Sequence, residues 1–200
     1  MALKSFVKVS GINNLSDARY CSGMEVNQLG FSIQESNPNY TDPAKFKEIK
    51  GWLSGVEYVG ELDSKNTLSI SDIVSNYELD ALQVANAAQV EEAQATGLPI
   101  ILQTDVSMIT EELLISLKDK VDYFLIESVY EGQVSPDLLV LTKDYPIVVA
   151  YGFDADSVES LAGQGIKGIS LTGGDEISPG LRDFDEMIDI LEALEIDDTL

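Results

Sequence analysis

Carboxylates, hydroxyls and glycines recur in this chain where short apolar runs end, the place at which a turn would hold them over the edge of a sheet. Ser10 follows Phe6–Val9, Glu61 and Asp63 flank the end of Tyr58–Leu62, Asp105 follows Ile100–Thr104, and Glu127 closes Tyr123–Glu127. Gln83 lies in Ala81–Val84, and Thr172, Gly173 and Gly174 follow Gly168–Leu171. Carboxyl groups can act as general acids and bases. Glycine turns such as those at Gly152 and Gly173-Gly174 can turn backbone N–H groups toward an anion. The chain has no histidine, which removes Ser-His-Asp triads and histidine metal sites together. Asp154, Asp156, Asp175 and Glu176 are oxygen donors of the kind a hard cation takes. In so acidic a chain such clustering is ordinary and they read as solvated surface, so no metal or cofactor is expected.

The elements that would position these groups alternate. Strands are predicted at Phe6–Val9, Gln28–Phe31, Tyr58–Leu62, Ala81–Val84, Ile100–Thr104, Tyr123–Glu127, Ile147–Ala150 and Gly168–Leu171. They are short and mostly apolar, as strands buried on both faces are. Amphipathic helices are predicted between them at Leu15–Ser22, Pro43–Leu53, Ile70–Tyr77, Ala87–Thr96, Thr110–Lys118, Pro136–Thr142, Asp156–Gln164 and Phe184–Leu194. Asp42-Pro43 and Ser135-Pro136 pair a capping side chain with a proline at the first helical position. Gly23, Gly97 and Gly165 are predicted to end helices in the left-handed conformation. Eight even β–α units, with no G-x-G-x-x-G turn after the first strand, favour a closed barrel over an open doubly wound sheet. The expectation is one α/β domain over residues 1–200, a single (β/α)8 TIM barrel whose site lies at the C-terminal ends of its strands.

Charge narrows the partners. Thirty-five acidic residues against 12 basic ones leave a net charge of −23. A chain of that sign lacks the basic footprint that nucleic acid requires. No run of about 18 apolar residues suggests a membrane span, and the first residues do not read as a signal peptide. A cytoplasmic location is the expectation. Cys21 is the single cysteine, so no internal disulfide forms.

Six stretches carry a family resemblance. Val7-Lys8-Val9-Ser10-Gly11-Ile12-Asn13-Asn14, with Asp17-Ala18, is similar to V-K-I-C-G-I-T-N-x-x-D-A. Leu29-Gly30-Phe31 followed by Ser36-Asn37-Pro38-Asn39-Tyr40 resembles L-G-F and K-S-P-R-Y. Ala81–Asn86, Phe124–Ser128, Ala150–Phe153 and the run from Thr172 to Asp183 resemble V-Q-L-H-G, L-L-L-D-S, A-G-G-L and S-S-G-V-E with P-G-x-K-D. In order and spacing these resemble the phosphoribosylanthranilate isomerases, barrel enzymes that perform an Amadori rearrangement in tryptophan biosynthesis.

The resemblance implies a base at the end of the first strand and an acid at the end of the sixth. Ser10 stands where the family has a cysteine, and Glu127 where it has an aspartate. A thiol ionises near pH 8.5, whereas a serine hydroxyl is a far weaker acid. Glu127 keeps a carboxyl but moves it by about a bond length, and misplacement of about 1 Å can cost a hundredfold. Asn39 stands for an arginine that would fork onto a carboxylate. Gln83, Gly152, Thr172, Gly173 and Gly174 remain as substrate-binding candidates, with Asp175 beside them as a repulsive neighbour for phosphate. The expected function is a family barrel with a diverged site that binds a small molecule, phosphorylated ones among the candidates, and has little or no isomerase activity. The alternatives are a working isomerase, with Glu127 joined by a water or another carboxylate as base, and a non-catalytic scaffold or regulatory partner.

Overall fold

The structure, a computed structural model, describes residues 2–127, 134–150, 153–161, 163–172, 176–178, 181–182 and 185–196. Eight parallel strands close on themselves in sequence order, because β1 (Phe6–Ser10) pairs with both β2 (Gln28–Ser32) and β8 (Gly168–Thr172). Between these run β3 (Glu57–Glu61), β4 (Ala81–Val84), β5 (Ile100–Asp105), β6 (Tyr123–Glu127) and β7 (Ile147–Ala150). The helices are α1 (Leu15–Gly23), α2 (Pro43–Lys50), α3 (Ile70–Val74), α4 (Ala87–Gln94), α5 (Glu111–Leu117), α6 (Pro136–Leu141), α7 (Ala155–Leu161) and α8 (Asp185–Ala193). The TIM barrel expected from the alternation is the fold observed. Among the described residues, no helix is long and apolar enough to cross a membrane.

The capping signals act as read. Asp42 accepts from the N–H groups of Ala44 and Lys45 at 2.9 and 3.0 Å, and Ser135 accepts from Leu138 N–H at 3.2 Å. Three helices, α2, α3 and α7, stop three residues earlier than predicted for one reason: the residues that follow turn with tighter i→i−3 hydrogen bonds. Leu53 bonds to Lys50, Tyr77 to Val74 and Gln164 to Leu161 in this way. Gly97 and Gly165 take positive φ at their helix ends. Gly23 does not. It remains helical, and the left-handed residue is Glu25, two positions later. A short antiparallel hairpin, β9 (Glu176–Ser178) with β10 (Leu181–Arg182), interrupts the loop before α8 and was not predicted. Its strands of three and two residues are too short to show a two-residue period.

Alternation along each strand divides the core in two. Outward residues such as Val7, Val9, Leu29, Phe31, Phe124 and Ile126 pack under the helices. Inward residues Val59, Ala81, Ile101, Tyr123, Leu125 and Val148 form a separate apolar cluster inside the barrel. Apart from Phe6 and Val59, the inward positions of β1–β3 carry polar side chains or glycine. Lys8 is wholly buried there and forms an ion pair with Glu61. Gly30 makes room for the pair, because an added Cβ would overlap the Glu61 carboxylate and lie 2.9 Å from Lys8 Nζ. Lower down, the Tyr123 hydroxyl donates to Gln28 at 2.7 Å, and Gln28 donates to Glu57 at 2.8 Å. Burial, helped by the nearby Glu61 carboxylate, pushes the Tyr123 phenol above its usual range.

Removing one member of a buried pair leaves the other uncompensated, at a cost of about 3–5 kcal/mol. Water reaches part of Glu61, so the lower end applies to Lys8→Met. The double variant Lys8→Met/Glu61→Leu should recover most of that loss, as read by urea unfolding. Cys21 gives a second test. It is fully buried in α1, and burial pushes its thiol up to about 12 from an ordinary 9.0. Below pH 9 the thiol is protonated in both folded and unfolded chains and adds no pH dependence. Above pH 9 only the unfolded thiol ionises, so stability falls by up to about 1.4 kcal/mol per pH unit until pH 12. Cys21→Ala should lack that added slope when the two unfolding curves are compared.

Candidate active site at the strand C-termini

The C-terminal ends of the strands surround a cavity of about 440 Å³, a volume typical of small-molecule sites. Ser10, Asn39, Gln83, Glu127 and Thr172 all line it. Five sequence-derived candidates from five separate strands or loops therefore meet at one mouth. Gly152, Gly173 and Gly174 lie outside the described residues, as do Asp175 and the stretch 128–133 after β6.

Ser10 is set by β1. It points inward two residues after Lys8, whose ammonium donates to Ser10 Oγ at 2.6 Å as well as to Glu61. The Glu61 carboxylate also accepts the Gly11 N–H at 3.2 Å. Ser170 on β8 lies 3.4 Å from Ser10, hydroxyl to hydroxyl. The floor of the mouth is thus a chain of lysine, glutamate and two serines joined across β1, β3 and β8. Ser10 Oγ accepts from a cation and has no described base beside it that could take its proton.

The other walls are held by local turns. Asn39 sits in the loop after β2, its N–H donating to the Asn37 side chain at 2.8 Å, while Thr41 N–H returns to Ser32 O at 2.8 Å. Gln83 donates to Gln103 at 2.5 Å, but its Oε1 and the Ser32 hydroxyl are buried without a hydrogen-bond partner among the described residues. Asp63 accepts from Gln34 and from Lys65 N–H at 2.9 and 2.7 Å. Asp105 is a register partner of Glu127 across β5 and β6. It accepts two bonds from Ser107 at one oxygen, and these hold its carboxyl below the usual range. Glu127 is exposed and has no described partner. Among the described residues, no three His, Cys, Asp or Glu side chains are grouped as metal ligands.

Sequence reasoning missed Lys8 and Ser170 as parts of this site, whereas Ser32 and Gln103 lie in the strand-end stretches where it places the chemistry. Lys8 carried a usable signal: a lysine between two valines in a strand buried on both faces must have a buried partner. The partner itself, Glu61, is 53 residues away, and only the pairing of both β1 and β3 with β2 brings it near.

Comparisons with known proteins fit this geometry. The profile of the N-(5'phosphoribosyl)anthranilate (PRA) isomerase family matches residues 7–193. An N-(5'-phosphoribosyl)anthranilate isomerase of Synechococcus sp. is 26% identical over 94% of this chain and 90% of its own. The crystal structure of the Thermus thermophilus phosphoribosyl anthranilate isomerase superposes with a TM-score of 0.76 at 19% identity, covering 94% of this chain and 98% of that one. A further phosphoribosyl anthranilate isomerase structure, in complex with reduced 1-(o-carboxyphenylamino)-1-deoxyribulose 5-phosphate, has a TM-score of 0.74 at 20% identity, over 95% and 98% of the two chains. With the motifs in order and the barrel closed around one mouth, this chain belongs to the N-(5'-phosphoribosyl)anthranilate isomerase family.

Proposed function

We propose that this family member binds a small molecule at the C-terminal mouth of its barrel and isomerises phosphoribosylanthranilate poorly or not at all. The carrying observation is the 2.6 Å bond from Lys8 Nζ to Ser10 Oγ. The rearrangement opens a ribosyl ring and moves a proton from C2, so it needs an acid and a base. Ser10 holds the position that the resemblance gives to the base. An oxygen that accepts from an ammonium, with no neighbouring base for its own proton, cannot take a carbon-bound proton efficiently. Glu127 remains as a candidate acid. Asn39 lines the mouth without the charged fork that a substrate carboxylate would meet.

A second reading rests on Glu61. Its carboxylate bonds to Gly11 N–H, next to Ser10, and lines the same cavity. There it could receive the C2 proton in place of a thiolate, with Glu127 as acid, and the chain would be a working isomerase. Family membership favours this reading as strongly as the first.

Loss of substrate fluorescence separates the two. Under the first reading, kcat/KM falls below that of the Synechococcus relative by about 10²–10⁴, the usual contribution of one acid–base group, and the chain fails to rescue a tryptophan auxotroph lacking the isomerase. Ser10→Cys alone does not restore full activity, because Asn39 still lacks the fork. A parent rate equal to the relative's, abolished in a folded Glu61→Gln variant, establishes the second reading instead.

A further inference from the structure

The hydroxyl hydrogen of Ser10 has few places to go. An ammonium has donors and no acceptor. In the 2.6 Å contact with Lys8 Nζ, Ser10 Oγ is therefore the acceptor, and its own hydrogen points elsewhere. Both oxygens of the nearby Glu61 carboxylate have other donors, Lys8 and the Gly11 N–H. Ser170 Oγ stands at 3.4 Å, long for an O–H···O bond, which prefers about 2.7–2.8 Å. The direction that remains is the cavity, which Ser10 lines.

Three features hold this arrangement. Lys8 is wholly buried, so its ammonium acts on the mouth only through Ser10. Glu61 binds that ammonium and ties the N–H of the residue after Ser10. Gly11 turns the chain there at a φ of +71°, a conformation open to glycine and costly for most other residues. Hydrogen bonds in a chain polarise one another, so an O–H whose oxygen accepts from a cation is a stronger donor than a free hydroxyl. The position that the resemblance gives to a base thus presents a proton to the mouth. Behind it one ammonium and one carboxylate offset each other, so the donor suits a neutral oxygen that accepts strongly. A carbonyl oxygen is such an acceptor, with two lone pairs and no hydrogen of its own to place.

Resting on the reading of a small-molecule site at this mouth, we propose that Lys8 fixes Ser10 as a hydrogen-bond donor to a ligand carbonyl, which makes the site selective for an open-chain keto sugar over the corresponding sugar alcohol. Ser10 touches the ligand, and Lys8 is a positioning residue that acts through it. The selectivity concerns the carbonyl end alone and holds equally for phosphorylated sugars.

The test is calorimetric titration of the full chain with ribulose 5-phosphate and ribitol 5-phosphate, beside the turnover assay above. The phosphate blocks the oxygen through which ribulose would close a five-membered ring, so its C2 carbonyl stays free. Ribitol 5-phosphate carries a hydroxyl in its place. Ribulose 5-phosphate should bind about tenfold more tightly, the effect of one hydrogen bond at the strong end of the usual range. Infrared difference spectra with ligand isotopically labelled at C2 should place the bound carbonyl stretch below its position in water. Ser10→Ala should lose both the preference and the shift. Lys8→Met/Glu61→Leu keeps the Ser10 hydroxyl and removes one charge of each sign. It should shrink the shift, a change that a merely structural role for Lys8 does not produce. Equal or tighter binding of ribitol 5-phosphate, no detectable binding of ribulose 5-phosphate at millimolar concentration, or an unshifted carbonyl overturns the assignment. A full shift in the double variant overturns the role of Lys8. Any of these without isomerase turnover leaves the functional reading intact, whereas turnover at a normal family rate overturns that reading independently.

Discussion

The ion pair between Lys8 and Glu61 is the constraint on which the mouth of this barrel depends. A charged lysine inside a sheet is tolerated only when a partner and further acceptors surround it. Glu61 supplies the partner, Ser10 a further acceptor, and Gly30 the space that any Cβ would fill. Each then constrains another element. Glu61 ties β3 to the start of the loop after β1 through Gly11, and Ser10 faces Ser170 on β8. Three strands that a parallel sheet joins through backbone alone are here also joined by side chains.

The pair also divides the barrel interior chemically. On the side of β4–β7, inward residues are apolar and pack as an ordinary core. On the side of β1–β3, around Val59, most are polar: Gln28 bonds to Glu57 and Tyr123 in the lower layer, and Lys8 joins Glu61 to Ser10 above it. Such a network carries little slack, because any unpaired member costs its full desolvation. Gln83 Oε1 and Ser32 Oγ are the buried side-chain atoms left unpaired among the described residues. The same division separates what holds the fold from what forms the mouth. Strand register and the outer core rest on outward residues, whereas the mouth is decided by a few inward ones, and fold by itself does not dictate function.

Fold was legible because its signals are local. Short apolar runs separated by amphipathic stretches, with Asp42-Pro43 and Ser135-Pro136 opening helices, are one-dimensional patterns that survive in the chain. The misread features have local causes too. The ends of α2, α3 and α7 change from i→i−4 to i→i−3 bonding without a change in composition, and Glu25 takes a left-handed turn that glycine would normally signal. Site candidates Ser10, Gln83, Glu127, Asn39 and Thr172 were legible because strand ends of a barrel face one mouth.

By itself, the sequence determined the alternation, the single closed barrel, the acidic rim and the loss of histidine chemistry, since each follows from residue type and spacing. It also carried the motifs that place the chain in its family. Only the tertiary structure decided which charges cancel. Lys8 and Glu61 are 53 residues apart, and nothing local to either names the other. Barrel closure sets β1 beside β2 and β8 and turns alternate side chains inward, so residues remote in the chain meet in a space from which water is largely excluded. There Lys8 is held by a glutamate and a serine, beneath a mouth lined by Asp63, Asp105 and Glu127.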